Sequence, residues 1–136
     1  MTRTAGALGL AALLAAGCAG ERPAEPAALA PARPAEEYLG VDTRLLDDDL
    51  VNLHVALAGT AEAGELQAYA DCAAAQYALI RGYGFARHVR TNLGEEGGNS
   101  TADAVYTISP GLPRGFAMLD AEVVVADCAA RGIPTV

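Results

Sequence analysis

The alternation of apolar and polar positions changes character near Tyr38, and the clearest element lies just beyond it. From Leu50 to Ala58, Val51, Leu53, Val55 and Leu57 fall on one side of an extended chain, with Asn52, His54 and Ala56 on the other. Period-two alternation of this kind predicts a half-buried strand. Gly59-Thr60 then opens a segment with helical spacing that runs to about Arg81, in which Leu66, Tyr69, Ala70, Ala73, Tyr77 and Ile80 share one face. Thr60 is the expected cap, Glu62 and Glu65 sit at the positive end, and Arg81 sits at the negative end before Gly82. Gly64 weakens the first turn by about 1 kcal/mol relative to Ala and moves the expected start later.

Phe85 to Asn92 reads as a second strand, with Phe85, Val89 and Thr91 opposite Ala86, His88 and Arg90. Gly94 to Asn99 is a polar, glycine-rich turn. Ala102 to Ser109 is a third strand presenting Ala104, Tyr106 and Ile108 on one face, and Pro110 to Gly115 is a second loop. Ala121 to Ala126, through Val123-Val124-Val125, reads as the last strand before Cys128. The order β-α-β-β-β predicts an α+β domain: one helix packed on a small, mainly antiparallel sheet. The segment from 38 to 136 is long enough to bury one small core.

Upstream of this domain the pattern is different. Arg3 is the single charge before residue 17, and Ala5 to Ala16 is an uncharged run of Ala, Leu and Gly. As a helix it would reach roughly 18 Å, short of a bilayer core of about 30 Å. A positive start and a short apolar run are the pattern of an export signal, here residues 1–17. Residues 18–37 are rich in Ala, Pro and Glu and carry four of the seven prolines, Pro23 to Pro34. Proline discourages both helix and sheet, so this stretch is expected to be a disordered, semi-extended tether.

Leu14-Ala15-Ala16-Gly17-Cys18 resembles the lipobox of bacterial lipoproteins, although Leu stands one place earlier than that family prefers. The resemblance implies diacylation of Cys18, cleavage just before it, and a mature chain that begins at its lipid anchor. Several acyl chains would make such anchoring stable. Ala19 implies, by the same resemblance, transfer to the outer membrane. The competing expectation is an ordinary secretory signal cut after Gly20, which would discard Cys18.

With Cys18 set aside, Cys72 and Cys128 remain, one in the helix and one just past the last expected strand. An isolated pair in an exported chain is expected to oxidise, so a structural disulfide is preferred to two buried thiols. No Cys-x-x-Cys spacing points to redox chemistry.

Charge removes some function classes. Seventeen acidic residues against nine basic ones give a net charge of -8, and all nine basic residues are Arg. Without a basic run there is no footprint for nucleic acid, whose binding rests on neutralising phosphates. His54 and His88, on two strands, would meet over a metal only if those strands brought them together, and no third ligand accompanies them; edge or solvent-facing histidines are the preferred reading. Asp47-Asp48-Asp49 lacks the spacing of a calcium loop and reads as a solvated run. Arg81, Arg87 and Arg90 bracket a turn and are an anion-site candidate, against the plainer expectation that they balance Asp71, Glu95 and Glu96. Gly82-Tyr83-Gly84-Phe85 follows a helix and precedes a strand, the reverse of a phosphate loop, and is expected to be a turn. No nucleophile elbow or paired catalytic carboxylates are visible, and no cofactor motif either.

From about Leu50 onward the chain resembles small alphaproteobacterial envelope lipoproteins of unknown function. Cys72 to Phe85, Ala104 to Pro110 and Asp120 to Val125 with Cys128 carry the resemblance. It implies a strand, a helix ending in Gly-aromatic and a second strand as a common core, and supplies no catalytic residues. The resulting expectation is a non-catalytic lipoprotein domain facing the periplasm from the inner leaflet of the outer membrane. It would be held through Cys18 and act in envelope assembly or as an accessory subunit beside an envelope protein. The alternative is a periplasmic module that binds a small ligand on the sheet face or near the three arginines.

Overall fold

The computed structural model describes residues 33–112 and 114–136; the expected signal segment, Cys18 and most of the tether lie outside them. After a single 3-10 turn at Ala35–Glu37 come β1 (Tyr38–Asp47), β2 (Leu50–Leu57), α1 (Ala63–Ile80), β3 (Phe85–Glu96), β4 (Asn99–Ser109), β5 (Met118–Asp120) and α2 (Ala121–Arg131). The five strands form one antiparallel sheet in the order β1-β2-β4-β3-β5. The architecture is α+β, with one main helix on the sheet and a second, shorter helix packed on the first.

The core explains the alanine content. Val51, Leu53, Val55 and Leu57 of β2, with Tyr106 and Ile108 of β4, supply the bulky side chains. Against them α1 turns Leu66, Ala70, Ala73, Ala74 and Ala78, while Ala86, Ala102 and Ala104 cover the sheet side. Small residues on both surfaces let helix and sheet approach closely, so a core with few large side chains remains densely filled. Tyr69 leaves the same helix toward β1 and meets Tyr38 edge-on at 4.9 Å. Ile80, expected on the packing face, is 62% exposed because the helix ends beyond the sheet's cover.

Four further differences from the expected pattern have local causes. First, Tyr38–Asp47 is a strand that the alternation did not reveal, since its apolar positions are half exposed on a sheet edge. The run Asp47-Asp48-Asp49 becomes the β1–β2 hairpin turn, where the Asp47 carboxylate accepts from the Asp48 amide at 2.8 Å.

Second, α1 begins at Ala63 rather than at Thr60. Its N-terminal cap is Glu62, whose amide donates to the Glu65 carboxylate at 2.8 Å. Third, β3 carries a bulge between His88 and Arg90. One extra residue moves Arg90 to the opposite face from His88 and brings Thr91 onto the helix side with His88.

Fourth, Ala121–Arg131 is a helix, which corrects the expected last strand and makes the order β-β-α-β-β-β-α. Three consecutive valines favour a strand, but the Asp120 carboxylate accepts from the Val123 amide at 3.2 Å as an N-cap. Gly132 closes the other end in the left-handed region at φ 69°. Ala121, Val124, Val125 and Cys128 are the covered positions, a helical spacing that overrides the valine run.

Residues 33–37, expected within the tether, are held to the domain. The Arg33 guanidinium donates to Glu37 at 2.7 Å, Glu65 at 2.9 Å, and the carbonyls of Thr60 at 2.8 Å and Ala58 at 3.0 Å. The Arg33 guanidinium in turn holds the Glu65 carboxyl below its ordinary pKa. Among the described residues, no helix is long and apolar enough to cross a membrane.

Candidate functional site

Cys72 and Cys128 form the disulfide, with Cα atoms 6.0 Å apart and a separation of 56 positions in sequence. It ties the middle of α1 to the last turns of α2, and both residues are buried. The expected pairing is therefore present, although it joins two helices and not a helix to a strand.

On the helix side of the sheet, the β3 bulge assembles a polar chain. His88 Nε2 lies 2.6 Å from Thr91 Oγ1, and the Thr91 hydroxyl donates to Gln67 Oε1 at 2.8 Å. Gln67 Nε2 donates to the Tyr106 hydroxyl and to Asp71 Oδ1, each at 2.8 Å. The Tyr106 hydroxyl donates to the same Asp71 oxygen at 2.6 Å. Since Thr91 gives its one hydrogen to Gln67, it accepts from His88, which assigns the Nε2–H tautomer to the imidazole.

Donors thus point one way, from His88 to the Asp71 carboxylate. Tyr106 is fully buried; burial and then the Asp71 carboxylate push its ionisation far above the ordinary range of a phenol. The polarity of the chain opposes nucleophilic use of Thr91, because a nucleophile–base pair needs that hydroxyl hydrogen directed to the imidazole. What the chain does is fix α1 against β3 and β4 at the point where the core is polar.

The opposite face of the sheet carries no helix among the described residues. There Asp42, Arg44, Asn52, His54, Glu96 and Asp103 line an open groove of about 350 Å³. Strand register builds it: Asp42, His54 and Asp103 stand in one row across β1, β2 and β4, and Arg44 and Asn52 stand in the next. Asn52, 8% exposed, donates to Asp103 at 2.6 Å, and Arg90 approaches the same carboxylate at 3.7 Å. His54 lies 3.7 Å from Glu96, and Arg44 lies 3.1 Å from Asp42. The groove continues over Leu39, Gly40 and Ala56, a low apolar floor. Mixed charge and small floor residues suit a polar ligand or the polar side chains of a protein.

The expected site residues are thus dispersed. His54 and His88 lie on opposite faces of the sheet and do not share a metal. Among the described residues, no cluster of His, Cys, Asp or Glu has the arrangement of a metal site. Arg87 and Arg90 share the open face, whereas Arg81 turns back along α1, its guanidinium 5.9 Å from the Tyr77 ring centre and bonded to its hydroxyl at 3.2 Å. The three do not form one cluster. Asp71, expected to balance them, instead accepts from Tyr106 and Gln67. Sequence reading did not single out Asp42, Arg44, Asn52 and Asp103; the one signal present was Asn52, a polar position on the same side of β2 as His54, whereas Asp103 meets His54 only through the strand register.

The chain is 36% identical over 87 residues to the "Uncharacterized 26.9 kDa protein in nqo8 5'region" of Paracoccus denitrificans. That match covers 64% of this chain and 34% of the relative, so the chain spans about a third of the relative's length. No solved structure matches the chain. The model of the YNQ4 C-terminal domain matches residues 38–132, from the first residue of β1 to the glycine that closes α2. With most of its length matched, this chain belongs to the YNQ4 C-terminal domain family.

Proposed function

We propose that this protein is a lipid-anchored domain of the bacterial envelope, attached through Cys18 and serving a non-catalytic accessory or assembly role on the periplasmic side. The observation that carries the reading is the Cys72–Cys128 bond. Disulfides persist in oxidising compartments and are rare in the cytosol, so the bond agrees with the export pattern before Cys18. A sheet with one face open and charged supports a docking role, since interaction surfaces need a face that the protein's own elements leave uncovered. Ala19 after the anchor favours the outer membrane, by the lipobox resemblance.

Fractionation of the host envelope tests this. The wild-type chain is expected in the membrane fraction and Cys18→Ser in the soluble periplasmic fraction. Equal partition of both, or recovery of both from the cytosol, would reject the anchor. A second reading, a small-ligand module, is favoured by the groove lined by Asp42, Arg44, Asn52, His54, Glu96 and Asp103. A thermal-shift screen of small polar metabolites distinguishes it: a stabilising ligand whose effect disappears in Asn52→Ala supports this reading, and a screen without hits removes it.

A further inference from the structure

The sheet has two ends, and they differ. On one side β3 is paired with β5 over Phe85–Arg87 only, and from Val89 to Glu96 its outer backbone edge has no partner among the described residues. Its side chains there meet partners within the chain, Arg90 with Asp103, Thr91 with Gln67 and His88, and Glu96 with His54. On the other side β1 presents its whole outer edge, and among the described residues nothing pairs with it. A free edge is a template for another strand. Its regular register runs from Gly40 to Leu45, with a shift at each end. Between those shifts lies a regularly paired segment, Val41-Asp42-Thr43-Arg44-Leu45, whose pattern is complementary to its own reverse: apolar, acidic, neutral, basic, apolar.

We propose that β1 pairs antiparallel with β1 of a second copy of this chain, about a two-fold axis at Thr43, to form a ten-stranded sheet. Antiparallel pairing about that residue sets Asp42 opposite Arg44 of the other copy and Val41 opposite Leu45, each pair occurring twice. The faces agree. Asp42 and Arg44 lie in register with His54 and Asn52 on the open face, and Val41 and Leu45 lie in register with Val55 and Val51 on the helix side. Asp42 and Arg44, 58% and 73% exposed, would join with their symmetry mates in a ring of alternating charge, and Leu45, 45% exposed, would gain an apolar neighbour.

A two-fold contact of this kind closes on itself, as the common symmetric dimers do. Because Asp42 and Arg44 also line the groove, the seam would run between two grooves and set them side by side. This inference does not depend on the anchor, and it assigns the exposed pattern of β1 to a definite partner.

Sedimentation velocity of the full chain carrying Cys18→Ser, over about 1–100 µM, tests it, since a short strand-to-strand interface is expected to associate in this range. The chain is expected to sediment as a dimer at the upper end. Asp42→Arg and Arg44→Asp, each placing like charges opposite one another, are expected to weaken association at least tenfold. The double variant restores the pairing with signs exchanged and is expected to dimerise again. Circular dichroism of each variant separates lost pairing from lost folding. A monomeric parent chain would overturn the proposal, as would a dimer indifferent to both reversals or a double variant that stays monomeric.

Discussion

Replacing Cys72 and Cys128 together by Ala tests how much of this domain's stability rests on a single bond. The cross-link closes a loop of 56 residues that contains the end of α1, all of β3, β4 and β5, and most of α2. In the chain-entropy treatment a loop of that length restricts the unfolded ensemble by about 4 kcal/mol at 25 °C. Both sulfurs are buried, so the small space each leaves adds to the loss. Small domains have a total stability of about 5–15 kcal/mol, and a core filled largely by alanine belongs at the low end.

The double variant is therefore expected to lose most of its margin and to unfold at a much lower urea concentration, followed by far-ultraviolet circular dichroism. Addition of reductant to the wild-type chain is expected to produce the same shift, and to have no effect on the variant. A loss below about 1 kcal/mol would mean that α1 and α2 are held together without the cross-link.

Tyr106→Phe deletes a hydroxyl that donates to Asp71 and accepts from Gln67, and is expected to cost about 1–3 kcal/mol in urea melts. The Tyr106 ionisation is raised in the folded state, so its contribution is complete below the ordinary phenol pKa near 10 and is lost as pH climbs beyond it. Alkaline melts of the wild type are thus expected to fall more steeply than those of Tyr106→Phe, and parallel curves would contradict this. Arg33→Ala is expected to return the Glu65 carboxyl upward toward its ordinary titration range, read by carboxyl-detected NMR; an unmoved Glu65 would mean that Arg33 does not hold it. Asp120→Ala removes the α2 cap and is expected to cost about 1 kcal/mol, with faster amide exchange confined to the first turn of α2.

The parts of the fold legible beforehand were those with undiluted periodicity. β2 is buried on one face and shows clean alternation, while α1 is long and bounded by Gly59 and Gly82, so both were readable. The turn at Gly97-Gly98 lies within the expected glycine-rich segment, and both residues hold the positive φ a two-residue hairpin needs. β1 was hidden because an edge strand lacks a fully buried face, and bulges at both ends disturb its period.

The α2 segment misled because β-branched propensity is a weak preference that a cap, a closing glycine and a tertiary cross-link outweigh. Its covered positions Ala121, Val124, Val125 and Cys128 are a helical spacing already present in the sequence. For the candidate sites the limit was of another kind. The His88 chain depends on one inserted residue at the β3 bulge, and the groove depends on which strands become neighbours. Neither is encoded in local spacing, so Gln67, Tyr106, Asp42 and Arg44 took on meaning only once the register was known.

We propose an oxidised, lipid-anchored domain of the envelope. The most direct test is the intact mass, under non-reducing conditions, of the chain purified from the membranes of its host. The chain is expected to begin at Cys18, to carry the mass of its acyl groups, and to lack two hydrogens at Cys72 and Cys128. An unacylated chain, or one with both thiols free, would contradict it.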